Sequence, residues 1–189
     1  AYALGERARG IPELDVLVQR ALRAPGDATV RTAAQLWLAD PRTRSARVEE
    51  ALRIDESLAV LEVVQRTLSH SRQDLLEVLW KRGSLRGRLW GRKPGFVPLL
   101  DGPFGRWLPR QVAAYADALE AAIATKDTPS WTVTRAIRVL GRLPGIGLAY
   151  AGHHTASPHL ERREAALAAL AWTDRPGDAL GRLLAIDGG

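Results

Sequence analysis

The residues best suited to chemistry in this chain lie between 81 and 110, in KRGSLRGRLWGRKPGFVPLLDGPFGRWLPR. Eight basic residues (Lys81, Arg82, Arg86, Arg88, Arg92, Lys93, Arg106, Arg110) stand there against one acid, Asp101, giving +7 in thirty residues. The whole chain carries +6, so everything outside this stretch sums to −1. Trp90, Phe96, Phe104 and Trp107 are interleaved among the charges. Guanidinium forks alternating with aromatic faces suit three tasks. They can grip a phosphate backbone and stack bases. They can dock an acidic protein surface, since Trp and Arg dominate interface hot spots. Or the aromatics, with Val97, Leu99 and Leu100, can fold back onto neighbouring elements while the arginines solvate the outside. The expected contact set is Arg86, Arg88, Trp90, Arg92, Lys93, Arg106, Trp107 and Arg110, with a protein partner first and nucleic acid as the alternative.

Three imidazoles fall within seven residues, His153, His154 and His159, with Glu161 and Glu164 nearby. That grouping could share a metal, but the spacing matches no standard ligand pattern and no second cluster closes the shell. Loop histidines are the expected reading, so no metal and no cofactor are expected. His70 stands at a helix end, where the C-terminal dipole favours a cation. No Gly-rich phosphate loop with its Lys and Ser/Thr is present, and no nucleophile elbow. Asp74 and Glu77 share one helix face, an arrangement expected to be solvated surface. Glu49 and Glu50 lie close to Arg53, as on a charged outer face. Nothing assembles a catalytic set.

The elements that must carry these residues read as helices. Val30 to Ala39 can be laid over Arg162 to Ala171 without a gap, and Ala136 to Gly141 supplies a third copy. In each, a small residue (Ala34, Ala136, Ala166) precedes a Leu by four positions (Leu38, Leu140, Leu170), with Ala or Gly directly after. Positions four apart share a helix face, so the small residue admits a neighbouring helix and the Leu fills the next turn. Thr128-Pro129 and Ser157-Pro158 offer an N-cap followed by Pro at the first helical position. Asp40-Pro41, Pro144-Gly145 and Pro176-Gly177 read as stops. Ile11 to Leu22 and Val112 to Ile123 are amphipathic partners for the copies at Val30 and Ala136, and Ala179 to Ile186, after the copy at Arg162, opens a further unit. In the middle, Asp55 is placed to cap a helix carrying Leu58, Leu61, Val64 and Leu68, and Ser71 to Asp74 reads as a capping box. A short hairpin near Leu85 to Leu89 is the one strand-like feature. Gly and Pro recur through 81–110, so that stretch is expected to be an irregular insertion, and long insertions of this kind are often functional.

Over residues 11–40 and 111–186 the chain resembles the HEAT-repeat family and, more loosely, the armadillo-like solenoids. The resemblance implies an all-α, right-handed α-α superhelix of about five helix pairs, one domain over 1–189, acting as a non-catalytic scaffold for protein–protein interaction. Some bacterial DNA glycosylases that remove alkylated bases are similar to HEAT solenoids, with a cationic concave face, Trp side chains and a catalytic Asp. Under that alternative Asp101 is the residue to test, although the basic cluster here sits in one insertion rather than along successive repeats.

Composition bounds these readings. The chain has 189 residues, 46% of them hydrophobic and 25% charged, with no cysteine. Disulfides, thiolate metal sites and cysteine nucleophiles are therefore excluded. No apolar run reaches the roughly 18 residues a membrane span needs, so no membrane is expected among the partners. The residues start at Ala1-Tyr2 and end at Gly188-Gly189, and read as a piece of a longer protein. Arginine outnumbers lysine 24 to 3, the bias of a high-GC genome, which points to a bacterial source. A cytoplasmic location is expected.

Overall fold

The computed structural model describes residues 11–80, 87–90 and 96–187. Among them are ten α-helices and no β-sheet: α1 Pro12–Ala21, α2 Asp27–Trp37, α3 Pro41–Ile54, α4 Glu62–His70, α5 Asp74–Trp80, α6 Pro109–Ala124, α7 Ser130–Gly141, α8 Gly147–His154, α9 Leu160–Leu170 and α10 Pro176–Asp187. Short 3-10 turns cover Glu56–Val60, Arg88–Trp90 and Phe104–Arg106. The all-helical expectation holds. The hairpin expected near Leu85 to Leu89 does not: Leu85 and Arg86 lie outside the described residues, and Arg88–Trp90 is a 3-10 turn.

Proline and acid placement explains several boundaries. Asp40-Pro41 both ends α2 and starts α3, because the Asp40 carboxylate accepts from the Arg42 amide at 3.0 Å while Pro41 takes the first turn. Pro12 and Pro109 open α1 and α6 in the same way, and Gln111 accepts from the Leu108 amide at 3.0 Å. Three punctuation readings are corrected. Thr128 caps backwards, its hydroxyl donating to Ala122 O at the end of α6. Ser157 accepts from the His159 amide, so α9 starts two residues after Pro158. Pro176 starts α10 rather than stopping α9. Asp55 does cap, but the element is the 3-10 turn, through Ser57 N at 2.9 Å, and α4 begins only at Glu62.

The small residues are buried as the pattern requires. Ala34, Ala136 and Ala166, with Leu38, Leu140 and Leu170, are all at most 1% exposed. Two of the copies nest directly: α7 packs on α9, where a Cβ added to Gly141 would sit 2.7 Å from the Ala169 Cβ. The main packing runs between near neighbours in sequence: α1 on α2, α2 on α3, α5 on α6, α6 on α7, α8 on both α7 and α9, and α10 on α8 and α9. No helix among the described residues is long and apolar enough to cross a membrane.

Candidate functional site

The apolar side chains in the described part of the basic stretch turn inward. Leu89, Phe96, Val97, Leu100, Phe104 and Trp107 all belong to the core. Its centre is Tyr115 of α6, fully buried, whose ring stacks on Trp80 at 4.7 Å and lies 5.5 Å from Trp107. Phe104 meets Trp107 edge-on at 5.1 Å. The Tyr115 hydroxyl accepts from the Leu100 amide at 2.7 Å and donates to Pro98 O at 2.8 Å, tying 98–100 to the helices. Burial pushes the pKa of this phenol upward, so it stays protonated.

This burial corrects the expected contact set. Trp107 is 6% exposed and spends its indole N–H on Ser69 O at 3.1 Å, so it is a core residue and not a surface anchor. Arg88 also faces inward: it donates to Leu22 O at 2.9 Å and to Ala24 O beyond the end of α1, with Asp55 at 3.4 Å. These are orphan carbonyls at a helix C-terminus, which a guanidinium satisfies well. Arg110 remains on the surface, paired with Glu77 at 2.8 Å, and Arg106 is exposed. Arg86, Arg92 and Lys93, and the Trp90 side chain, lie outside the described residues.

The histidines are corrected as well. His153 and His154 belong to α8 rather than a loop, and His154 is buried with Nε2 2.8 Å from Glu120 Oε1. His159 is an exposed residue just before α9. No group of three His, Cys, Asp or Glu among the described residues could hold a metal. Asp74 and Glu77 are not merely solvated: Asp74 pairs with Arg72 at 2.8 Å and Glu77 with Arg110. Hydrogen bonding from Arg72 holds the carboxyls of Asp74 and Glu49 below their usual range.

What the surface does present is a row along α7. Trp131, Arg135, Arg138 and Arg142 recur at intervals of four, three and four, which places them on one face. Trp131 is 61% exposed, an unusual state for so large an apolar side chain. Arg138 is exposed and has no partner among the described residues. Arg135 and Arg142 converge on Asp101, at 3.6 Å and 3.8 Å, and Arg142 also donates to Asp101 O at 2.8 Å. The Arg142 guanidinium lies 5.7 Å from the Phe104 ring centroid, so the core edge supports it. Asp101 itself is 74% exposed on an open rim, a hydrated position.

Between this row and α4 lies a cleft of about 470 Å³, walled by Glu62, Arg66 and His70 on one side and Asp101, Pro103 and Arg142 on the other. Arg66 pairs with Glu62 at 2.6 Å, and His70 Nδ1 sits 2.9 Å from Arg66 O. A smaller pocket of about 160 Å³ adjoins it through Gln65, with Val60, Phe96, Val97, Leu99, Trp131, Thr132 and Arg135 around it. The Thr132 hydroxyl is buried without a hydrogen-bond partner among the described residues. The row was not among the residues expected to bind: its spacing is visible in the sequence, but the small-residue pattern at Ala136 and Leu140 marks only the opposite, packing face of the same helix.

Comparison with known proteins returns nothing to set beside this geometry: no protein-family model, no curated protein and no solved structure matches the chain. Its chemistry has to be read from its own residues.

Proposed function

We propose that the chain is a non-catalytic helical-repeat module, HEAT-like and wound as a right-handed α-α superhelix, that binds an acidic segment of a protein partner along the face between α4 and α7. Two features support the repeat reading. Helices pack chiefly on near sequence neighbours, and α7 on α9 and α8 on α10 repeat the same two-element step. The small residues at matched places are buried where those helices meet.

The observation that carries the binding reading is the α7 row. Three guanidiniums and one exposed indole share a face, and the one carboxylate among them, Asp101, leaves a local excess of positive charge. Exposed Arg–carboxylate pairs are worth only about 0–1 kcal/mol, so an incoming carboxylate exchanges with Asp101 at little cost. The rest of the cleft alternates in sign, Glu62 with Arg66 and Asp101 with Arg142. An acidic segment that sets its carboxylates against the α7 arginines and a base against Glu62 matches such a wall. A phosphate backbone would bring its anions against Glu62 and Asp101.

Fluorescence anisotropy separates the two. Peptides selected on the full chain from a displayed random 12-residue library should bind at 150 mM salt and weaken modestly at 300 mM. A nucleic acid neutralising three or four phosphates would bind a 12-nucleotide strand with a log–log salt slope of about −2 to −3. Tight, steeply salt-dependent binding of the oligonucleotide, with no peptide selected, would refute the protein reading.

A further inference from the structure

We infer that the 160 Å³ pocket beside Trp131 is the specificity subsite of this face and takes one large apolar side chain from an acidic partner segment. The inference rests on the protein-binding reading above. Size decides what enters. Sites for whole small molecules run to roughly 300–1,000 Å³, and a water's share of liquid is about 30 Å³, so this pocket holds the equivalent of one leucine or phenylalanine side chain. The wall is apolar over Val60, Phe96, Val97 and Leu99, and the indole of Trp131 rises beside it, mostly in solvent. An inserted side chain would cover that indole and bury both surfaces at once, the arrangement in which aromatic anchors carry interface energy.

Charge complementarity fixes the neighbour of the anchor. Arg135 stands at the rim of the pocket, and Arg138, with no partner among the described residues, follows on the same helix face. An extended chain advances about 3.3 Å per residue, so a carboxylate within three residues of the anchor meets one of these guanidiniums. The pocket opens through Gln65 to the larger cleft, where the alternation of Glu62, Arg66, Asp101 and Arg142 receives the rest of the segment. The recognised motif is therefore a large apolar residue with Asp or Glu close by.

The test uses the full chain and a displayed random 12-residue library, followed by anisotropy with the selected peptides. The expected consensus is Leu, Ile, Phe or Trp with an acid within three positions. Alanine in place of the apolar residue should weaken binding about 10- to 100-fold, the effect of one fully buried side chain. That change is made in the peptide, so the folding of a protein variant does not enter. Leu99→Trp, which fills the pocket from its partly buried edge, should weaken the same peptides at least tenfold, while Trp172→Ala, on an exposed indole that lines neither the pocket nor the cleft, should leave them unchanged. Peptides that lose binding on Arg135→Glu with Arg138→Glu but tolerate alanine at every apolar position would overturn the subsite and leave the face standing. Peptides indifferent to both sets of changes, or a library with no enrichment, would overturn both.

Discussion

Replacing Gly141 by Ala should destabilise the fold, although the same change elsewhere in a helix stabilises. A Cβ at Gly141 would lie 2.7 Å from the Ala169 Cβ and 2.8 Å from the Ala169 carbonyl oxygen, whereas ordinary contacts start near 3.4 Å. The obstacle is backbone and a methyl, neither of which can rotate away, so α9 must retreat by several tenths of an ångström from α7. Forced overpacking of this kind costs about 1–3 kcal/mol. Against it stands the helix-propensity gain of about 0.5–1 kcal/mol for Gly→Ala. The net expectation is a loss of about 0.5–2 kcal/mol, which in a domain of this size lowers Tm by about 1–8 °C. Gly181 in α10 is the internal control, because nothing lies within 4 Å of its would-be Cβ. Gly181→Ala should raise Tm. Both are read by thermal unfolding followed at 222 nm under identical conditions. Equal or higher stability for Gly141→Ala would refute the claim that a bare backbone at this position lets the two copies nest.

Three further outcomes follow from the core and from the charges around it. Tyr115→Phe removes both bonds that hold 98–100, leaving the Leu100 amide and Pro98 carbonyl buried and unpaired. The expected cost is about 2–4 kcal/mol, with accelerated amide exchange at Leu100 as the local readout. Thr132→Val removes a buried hydroxyl that has no partner among the described residues and should raise stability by about 1 kcal/mol in denaturant unfolding. Because Arg72 lowers the carboxyl pKa values of Glu49 and Asp74, their stabilising contribution is complete above the ordinary carboxylate range near 4 and is lost as pH falls through the lowered values. Unfolding followed from pH 5 to pH 2 should therefore show a shallower acid limb in Arg72→Gln than in the parent chain.

The sequence carried the helices better than it carried the site. Ala34, Ala136 and Ala166 could be placed on buried faces because packing between helices constrains side-chain size at fixed intervals, and that constraint survives in the residue string. The stretch 81–110 was legible as irregular, and the inward packing its aromatics adopt was one of the three readings its composition allowed, without a means of choosing among them. Its arginines and aromatics have the same composition whether they meet a partner or the core, and the deciding group, the Tyr115 hydroxyl, lies outside the stretch. The short helix Gly147–His154 went unseen because Gly147 and Gly152 and the preceding Pro144-Gly145 turn suggest loop, whereas burial of Ala151 and His154 against the neighbouring helices holds it. The α7 row was readable as Trp131, Arg135, Arg138 and Arg142 at helical spacing. What the sequence lacked was the opposing wall, since Asp101 and α4 reach that face only through the tertiary fold.

The most direct measurement is the affinity of library-selected peptides for the chain carrying Trp131→Ala, Arg135→Glu and Arg138→Glu together, beside its Tm. All three side chains are exposed, so Tm should stay within about 3 °C of the parent while affinity falls at least a hundredfold. Undiminished binding by a folded triple variant would contradict the assignment of this face.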